Sequence, residues 1–317
     1  MKALDRSTIW PYEGGRPGEF YYQRYAHPAG VEAERALGAL EGGEALLFPS
    51  GSGAITALVL CELRPGQTIA LAEGAYYGTA TLFRALEPWG LRFVEFDQTG
   101  APPEGVDLIW LEAPSNPFLT MPDFDAAAAH PARVVVDSTA ATPVYLRPLE
   151  RGADYVVHSA TKYLGGHHDL LLGAVVTRRE EAERLQDFRS RSGIVAAPDL
   201  AWLLLRSLKT LRLRVEQQTS TARQLAERLA DHPQVERVRY PGFGGMLSFD
   251  VAGDAEAVET AVRVIANATS LGGVDSTIES RSRWEGQRVP ENLLRLSVGL
   301  EDPDELWADL EQALGRL

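Results

Sequence analysis

Apolar positions recur along this chain in two alternating rhythms. From Val31, residues Ala33, Ala36, Leu37 and Leu40 share one helical face, and Gly42-Gly43 stops the run. Ala45 to Phe48 then reads as a strand entering a Pro-Ser-Gly-Ser-Gly turn, and Ala54 to Leu63 as a buried helix closed by Arg64-Pro65-Gly66. Short apolar strands follow at Thr68 to Ala72, Arg92 to Phe96, Leu108 to Leu111, Val134 to Val136 and Tyr155 to His158, spaced widely enough for helices between them. This alternation predicts an α/β fold with a mainly parallel sheet covered by helices on both faces. The first 30 residues, rich in Gly, Pro and aromatics, hold no period and read as an extended arm. Asp199 to Leu229 predicts a connecting helical stretch with Leu203, Leu204, Leu208, Leu211 and Val215 as its apolar stripe. Beyond it, strands at Val235 to Arg239, Met246 to Val251 and Leu293 to Val298 alternate with helices at Ala255 to Ala266 and Pro303 to Leu314, a small α+β domain. The expected organisation is an arm at 1–30, a large domain at 31–215 and a small C-terminal domain at 216–317.

Composition narrows the function classes. A chain of 317 residues, 45% hydrophobic and 24% charged, is globular and long enough for two cores. Its net charge of -13 repels nucleic acid and anionic membranes, so neither is an expected partner. One cysteine, Cys61, leaves no disulfide framework or multi-cysteine metal site, and no signal core or apolar run of membrane-spanning length occurs, which suits the reducing cytoplasm. Only three of the 31 basic residues are lysines, Lys2, Lys162 and Lys209, so amine chemistry has few candidates.

The informative stretch is Val134 to Gly173, with an acid ending one buried strand (Asp137) and a lysine just past the next (Lys162). Ligands of open α/β sheets bind at the carboxyl ends of strands, so both residues point to one crevice. Ser159, Thr161 and Tyr163 flank Lys162 with groups suited to a phosphate, and an amine in a partly buried site can form a Schiff base with an aldehyde cofactor. Rival readings are weaker. The turn Pro49 to Gly53 lacks a Walker lysine, and Phe48 and Ser50 stand where a hydrolase elbow needs glycine. Adjacent His167 and His168, with His158 and Asp169, rarely converge on one ion, so no metal is expected. Lys209 reads as a solvated helix face and Cys61 as a core residue.

At these residues the chain resembles the transsulfuration group, the pyridoxal-phosphate enzymes of cysteine and methionine metabolism, and in particular its cystathionine γ-lyase-like members. The match runs through Asp137-Ser138-Thr139, Pro148 to Asp154, and Ser159-Ala160-Thr161-Lys162-Tyr163 with Gly166-His167 and Asp169. It continues at Tyr22-Gln23-Arg24, Ser50-Gly51, Tyr76 with Gly78-Thr79, Glu112 with Pro114 to Pro117, Ser270 to Val274 and Arg295 to Gly299. The resemblance implies the pyridoxal-phosphate-dependent transferase fold of type I. It implies Lys162 as the cofactor lysine and proton shuttle, Asp137 as partner of the pyridine nitrogen, and Tyr76 as ring-stacking acid or base. Gly51, Ser52, Ser159 and Thr161 would form the phosphate cup, with Thr139 beside the cofactor and Asn116 near its phenolic oxygen. Arg295, helped by Asn116 and Ser270, would hold the substrate carboxylate. Tyr22 and Arg24 would reach the phosphate of a neighbouring subunit, implying a homodimer at least and an expected tetramer.

The chain also departs from the pattern. The arm is short, Tyr240-Pro241-Gly242 joins almost directly to Phe243 to Met246, Asp275 stands where relatives carry Glu, and Glu279 to Gly286 replaces their Glu-His-Pro stretch. The arginines of that last segment either grip a distal carboxylate or belong to a solvated loop. The Gly272-Gly273 pair is more like the cystathionine enzymes than the sulfhydrylases or methionine γ-lyases. The expected activity is therefore a carbon–sulfur lyase cleaving L-cystathionine by γ-elimination to cysteine, 2-oxobutyrate and ammonia. Cystathionine β-lyase and γ-synthase are the enzymatic alternatives, and a cofactor-binding scaffold without turnover is the other.

Overall fold

The computed structural model describes residues 3–317, so Lys2, a terminal amine on the sequence reading, lies outside the described residues. After the arm the chain forms α1 (Pro28–Glu41), β1 (Glu44–Phe48), α2 (Gly51–Glu62), β2 (Thr68–Ala72), α3 (Tyr77–Leu86), β3 (Arg92–Phe96), β4 (Leu108–Glu112), α4 (Phe124–Ala128) and β5 (Arg133–Asp137). It continues through α5 (Thr142–Tyr145), β6 (Tyr155–Ser159), β7 (Gly173–Thr177), α6 (Arg179–Ser192), α7 (Pro198–Leu208) and α8 (Leu211–Ala230). The last part comprises β8 (Val235–Arg239), β9 (Met246–Val251), α9 (Ala255–Glu259), β10 (Ala266–Asn267), β11 (Thr277–Ser280), α10 (Ser282–Glu285), β12 (Leu293–Ser297) and α11 (Pro303–Leu314).

The first seven strands make one sheet in the order β1-β7-β6-β5-β4-β2-β3, and only β7 runs antiparallel to its neighbours. Its central strands are apolar on both faces: Trp110 and Val135 face one cluster with α2, while Ile109, Val134 and Val136 face another with Phe124 of α4. That two-sided burial is what a mainly parallel sheet requires, and it explains why the unbroken Val134 to Val136 run reads correctly as a central strand. The remaining five strands form a second sheet, order β10-β11-β12-β9-β8, packed on α8 and α11 through Leu225, Leu247, Leu296 and Leu310.

Four elements differ from the sequence reading, the two helical ones for a tertiary reason. The helical stretch Asp199 to Leu229 is two helices broken at Lys209-Thr210. Buried Arg214 donates to the carbonyls of Ser207, Tyr163 and Leu164, so a side chain from the next helix takes a carbonyl at the break. The helix expected over Ala255 to Ala266 stops at Glu259, because Asp309 of α11 accepts the N–H groups of Arg263, Val264 and Ile265 and holds them in a turn. Strand β7 is a short apolar run whose period alone does not separate strand from loop, and β11, Thr-Ile-Glu-Ser, carries a single apolar residue and no run to read. Elsewhere Lys209 is exposed and Cys61 packs half-buried against the α2 side of the sheet. No helix among the described residues is long and apolar enough to cross a membrane.

Candidate active site

The carboxyl ends of β4, β5 and β6 converge with the N-terminus of α2 and the middle of β12 on one cavity of about 310 Å³. The Ser50–Ser52 turn reaches it because Ser50 caps α2, its Oγ accepting the Gly53 N–H at 2.9 Å, which leaves free amides at the helix start. Close approach demands glycine twice. A Cβ on Gly51 would lie 3.0 Å from Ser159 Cβ, and one on Gly173 of β7 would lie 2.1 Å from the Ser50 carbonyl oxygen. Gly173→Ala is therefore expected to push the turn out of the cavity and lower affinity for a phosphate-bearing ligand at least about tenfold, with the β-sheet intact. Equilibrium titration of the cofactor-free protein with pyridoxal phosphate checks this, and unchanged affinity would show that the turn can move without cost.

Asp137 ends β5 and is buried; its Oδ1 accepts the Thr139 N–H at 3.0 Å. Burial raises its pKa above the usual carboxylate range. Thr139 Oγ1 in turn accepts the Ser159 N–H at 2.8 Å, locking the ends of β5 and β6 together. Lys162 follows β6 by a tight turn, its N–H on Ser159 O and its carbonyl on the Gly166 N–H. Gly166 has φ +72, and a Cβ there would strike the Arg214 guanidinium. Lys162 Nζ donates to Ser270 Oγ at 2.8 Å. Its pKa falls to about 8, mainly through burial and then through the charge of Arg295, so the amine is neutralised, and becomes nucleophilic, as pH rises through about 8 rather than only near 10.5.

Tyr76 sits at the mouth immediately before α3 and is held by its own backbone, whose N–H donates to Glu112 Oε2 at 2.6 Å. Burial raises the phenol pKa, which keeps the hydroxyl protonated. Glu112 is pushed well above the carboxylate range by burial and by Asp137, its register neighbour on β5. Across the cavity Arg295 of β12 donates to Asn116 Oδ1 at 3.0 Å, to Ser270 O at 2.8 Å and to Glu279 of β11. Ser270, bonded on both sides, has φ +99, a strained value for a residue with a side chain.

The structure thus gathers Lys162, Asp137, Tyr76, Asn116, Ser270 and Arg295 around one cavity, which Gly51, Ser52, Thr139, Ser159 and Thr161 also line. It does not bring Tyr22 and Arg24 there within one chain: Arg24 donates to Ser190 O and lies over the Tyr25 ring, and Tyr22 is exposed. Of the arginines of the 279–286 segment, Arg281 follows neither sequence reading, while Arg283 is solvent-exposed. Arg281 is buried between Glu279 and Glu285, and Arg283 turns away to Glu259, so neither offers a free cation to a distal carboxylate. His158 pairs with Glu41 in the interior, His167 faces the Gly165 carbonyl, and no group of three metal-ligating side chains occurs among the described residues. Sequence reasoning missed Glu279 as a buried partner of Arg295; its place at the start of the substituted 279–286 segment carried no signal beyond that of a loop acid.

An amine and a carboxylate at adjacent strand ends of a type I sheet, with a glycine cradle at a helix start, define a pyridoxal-phosphate enzyme. The cradle, the buried Asp137 and the Lys162 amine fit that cofactor. The model of the family described as "Cys/Met metabolism PLP-dependent enzyme" matches residues 3–315, and the chain belongs to that family. It is 41% identical to an L-methionine gamma-lyase of Streptomyces avermitilis, covering 98% of this chain and 79% of the relative. It is 39% identical to a cystathionine gamma-synthase of Mycobacterium tuberculosis, covering 95% and 88%. The crystal structure of cystathionine gamma-lyase from Lactobacillus plantarum superimposes with a TM-score of 0.94 at 31% identity, over 99% of this chain and 93% of that one. The protein is a pyridoxal-phosphate-dependent enzyme of cysteine and methionine metabolism.

Proposed function

We propose that this enzyme is a carbon–sulfur lyase that cleaves L-cystathionine with water to cysteine, 2-oxobutyrate and ammonia. The observation that carries a lyase reading is the Lys162 amine, partly neutral at its pKa of about 8 and held 2.8 Å from Ser270 Oγ between Asp137 and Arg295. The relatives compared above are named for chemistry at the γ carbon, which favours γ-elimination over β-elimination.

Bound pyridoxal phosphate supplies an electron sink for charge developing at the substrate α and β carbons. Lys162 holds the cofactor aldehyde, removes the α proton and moves protons between carbons, a role open to an amine that exchanges its proton near neutral pH. Asp137 keeps a cationic ring nitrogen protonated; its burial, which costs the carboxylate when alone, makes that pairing strong. Gly51 and Ser52 amides with the Ser159 and Thr161 hydroxyls would hold the phosphate, with Asn116 and Thr139 as further cofactor contacts. Tyr76, protonated through burial, gives its proton to the departing sulfur. Arg295 and Ser270 orient the substrate through its carboxylate. Tyr22, exposed, and Arg24, half-buried against Ser190, lie on the arm outside their own chain's cavity and complete the site of a second copy, so the working unit is at least a dimer.

Incubating the loaded enzyme with L-cystathionine and identifying the keto acid tests the reading. Release of 2-oxobutyrate with cysteine supports it, pyruvate with homocysteine would make the enzyme a β-lyase, and no keto acid would overturn lyase activity on this substrate.

A further inference from the structure

Glu279 and Arg295 face each other as a register pair of β11 and β12. Glu279 Oε1 accepts from Arg295 Nη2, from Arg281 Nη1 at 2.9 Å and from Thr269 Oγ1 at 3.3 Å, while Oε2 accepts from Trp284 Nε1 at 3.1 Å. Both the acid and Arg295 have side chains only 3% exposed. Arg295 Nη2 is thus shared between Glu279 and the Ser270 carbonyl, and Nη1 serves Asn116, yet the buried Nε has no partner. The Nε and Nη2 donors form the side-on fork that receives a carboxylate bidentately. One prong of that fork is free and the other is taken by the protein's own carboxylate.

We propose that Glu279 is a specificity-determining residue, a built-in carboxylate that occupies Arg295 until a ligand carboxylate displaces it. This rests on the reading of Arg295 as the carboxylate clamp. The displaced acid stays in place because Arg281, Thr269 and Trp284 still donate to it, and Arg281 in turn is steadied by Glu285, which accepts from its Nε and Nη2 at 3.1 and 2.8 Å. Arg281, Arg295, Glu279 and Glu285 sum to zero charge, so a carboxylate gains Arg295 only by winning an exchange, and amines without a carboxylate gain nothing. The class of ligand selected is the free α-amino acid, and the unusual Arg281 is what makes the exchange possible without expelling Glu279.

The test compares glycine with glycinamide, which lacks the carboxylate, as ligands of the loaded enzyme, following the cofactor's visible absorption. Glu279→Gln keeps the shape of the residue and removes its charge. It is expected to tighten glycine relative to glycinamide by about tenfold, or about 1.4 kcal/mol, and Glu285→Gln, which leaves the Arg295 pairing in place, shifts the ratio less. An unchanged ratio, weaker glycine binding, or an equal shift from Glu285→Gln would overturn the proposal. If Glu279→Gln does not load cofactor, Glu279→Asp, whose shorter side chain withdraws from Arg295, must move the ratio in the same direction. An enzyme that shows this exchange but releases no keto acid from cystathionine would refute the lyase reading and leave the role of Glu279 standing.

Discussion

Lys162→Ala is expected to abolish covalent capture of pyridoxal phosphate and to lower C–S lyase turnover roughly 10²–10⁴-fold, the range that a positioned proton-transfer group contributes. The loss has two parts. The side chain supplies the amine, and it is the group near both reacting carbons whose pKa, about 8, lets it give and take a proton near neutral pH. In the wild-type protein the pH profile follows from the same shift. Burial lowers the amine from 10.5, so it is cationic and unreactive below about 8 and neutral above it; cofactor capture by the cofactor-free enzyme should accelerate as pH rises through about 8 and then level off. The variant should show no such rise. Absorption spectra against pH for both proteins check the prediction, and a covalent band that survived in Lys162→Ala would remove the cofactor role from this lysine. Lys209, exposed at the α7–α8 break, serves as the control amine.

Arg295→Lys should raise KM for L-cystathionine by about 10²-fold, within the roughly 2–5 kcal/mol cost of truncating a buried hydrogen-bonded charge pair, while cofactor loading persists. Charge is retained, so the effect isolates geometry. The guanidinium spans Asn116, the Ser270 carbonyl and Glu279 at once, and an ammonium on a flexible stem cannot hold that fork. Glu279 keeps Arg281 as a partner, which limits the loss of fold stability. Steady-state kinetics and thermal unfolding measured together separate the two effects: a KM equal to wild type would show that the substrate carboxylate binds elsewhere.

Much of the site was legible because its key residues are local. Asp137 ends a strand that is apolar on both faces, Lys162 follows the next strand by one tight turn, and the Ser50–Ser52 turn precedes a helix; strand ends of a parallel sheet meet at one edge. Connectivity along some forty residues from Val134 to Gly173 therefore places the amine and the acid without knowledge of any distant contact.

The other half of the site depends on pairs far apart in the chain. Arg295 meets Asn116 across 179 positions and Lys162 meets Ser270 across 108. Whether Arg281 and Arg283 were free cations or spent ones depended on Glu279, Glu285 and Glu259, and no spacing or period encodes which acid a buried arginine selects. The same limit governed the backbone, where Arg214 reaches a carbonyl at the α7–α8 break and Asp309 holds the turn after α9. By itself the sequence determined the alternating fold and the placing of Lys162, Asp137 and the Ser50–Ser52 turn at one edge of the sheet, since periodicity and strand ends are local properties. Only the tertiary structure decided how charge is paired across the cavity, because buried ions are matched by proximity in space rather than in the chain.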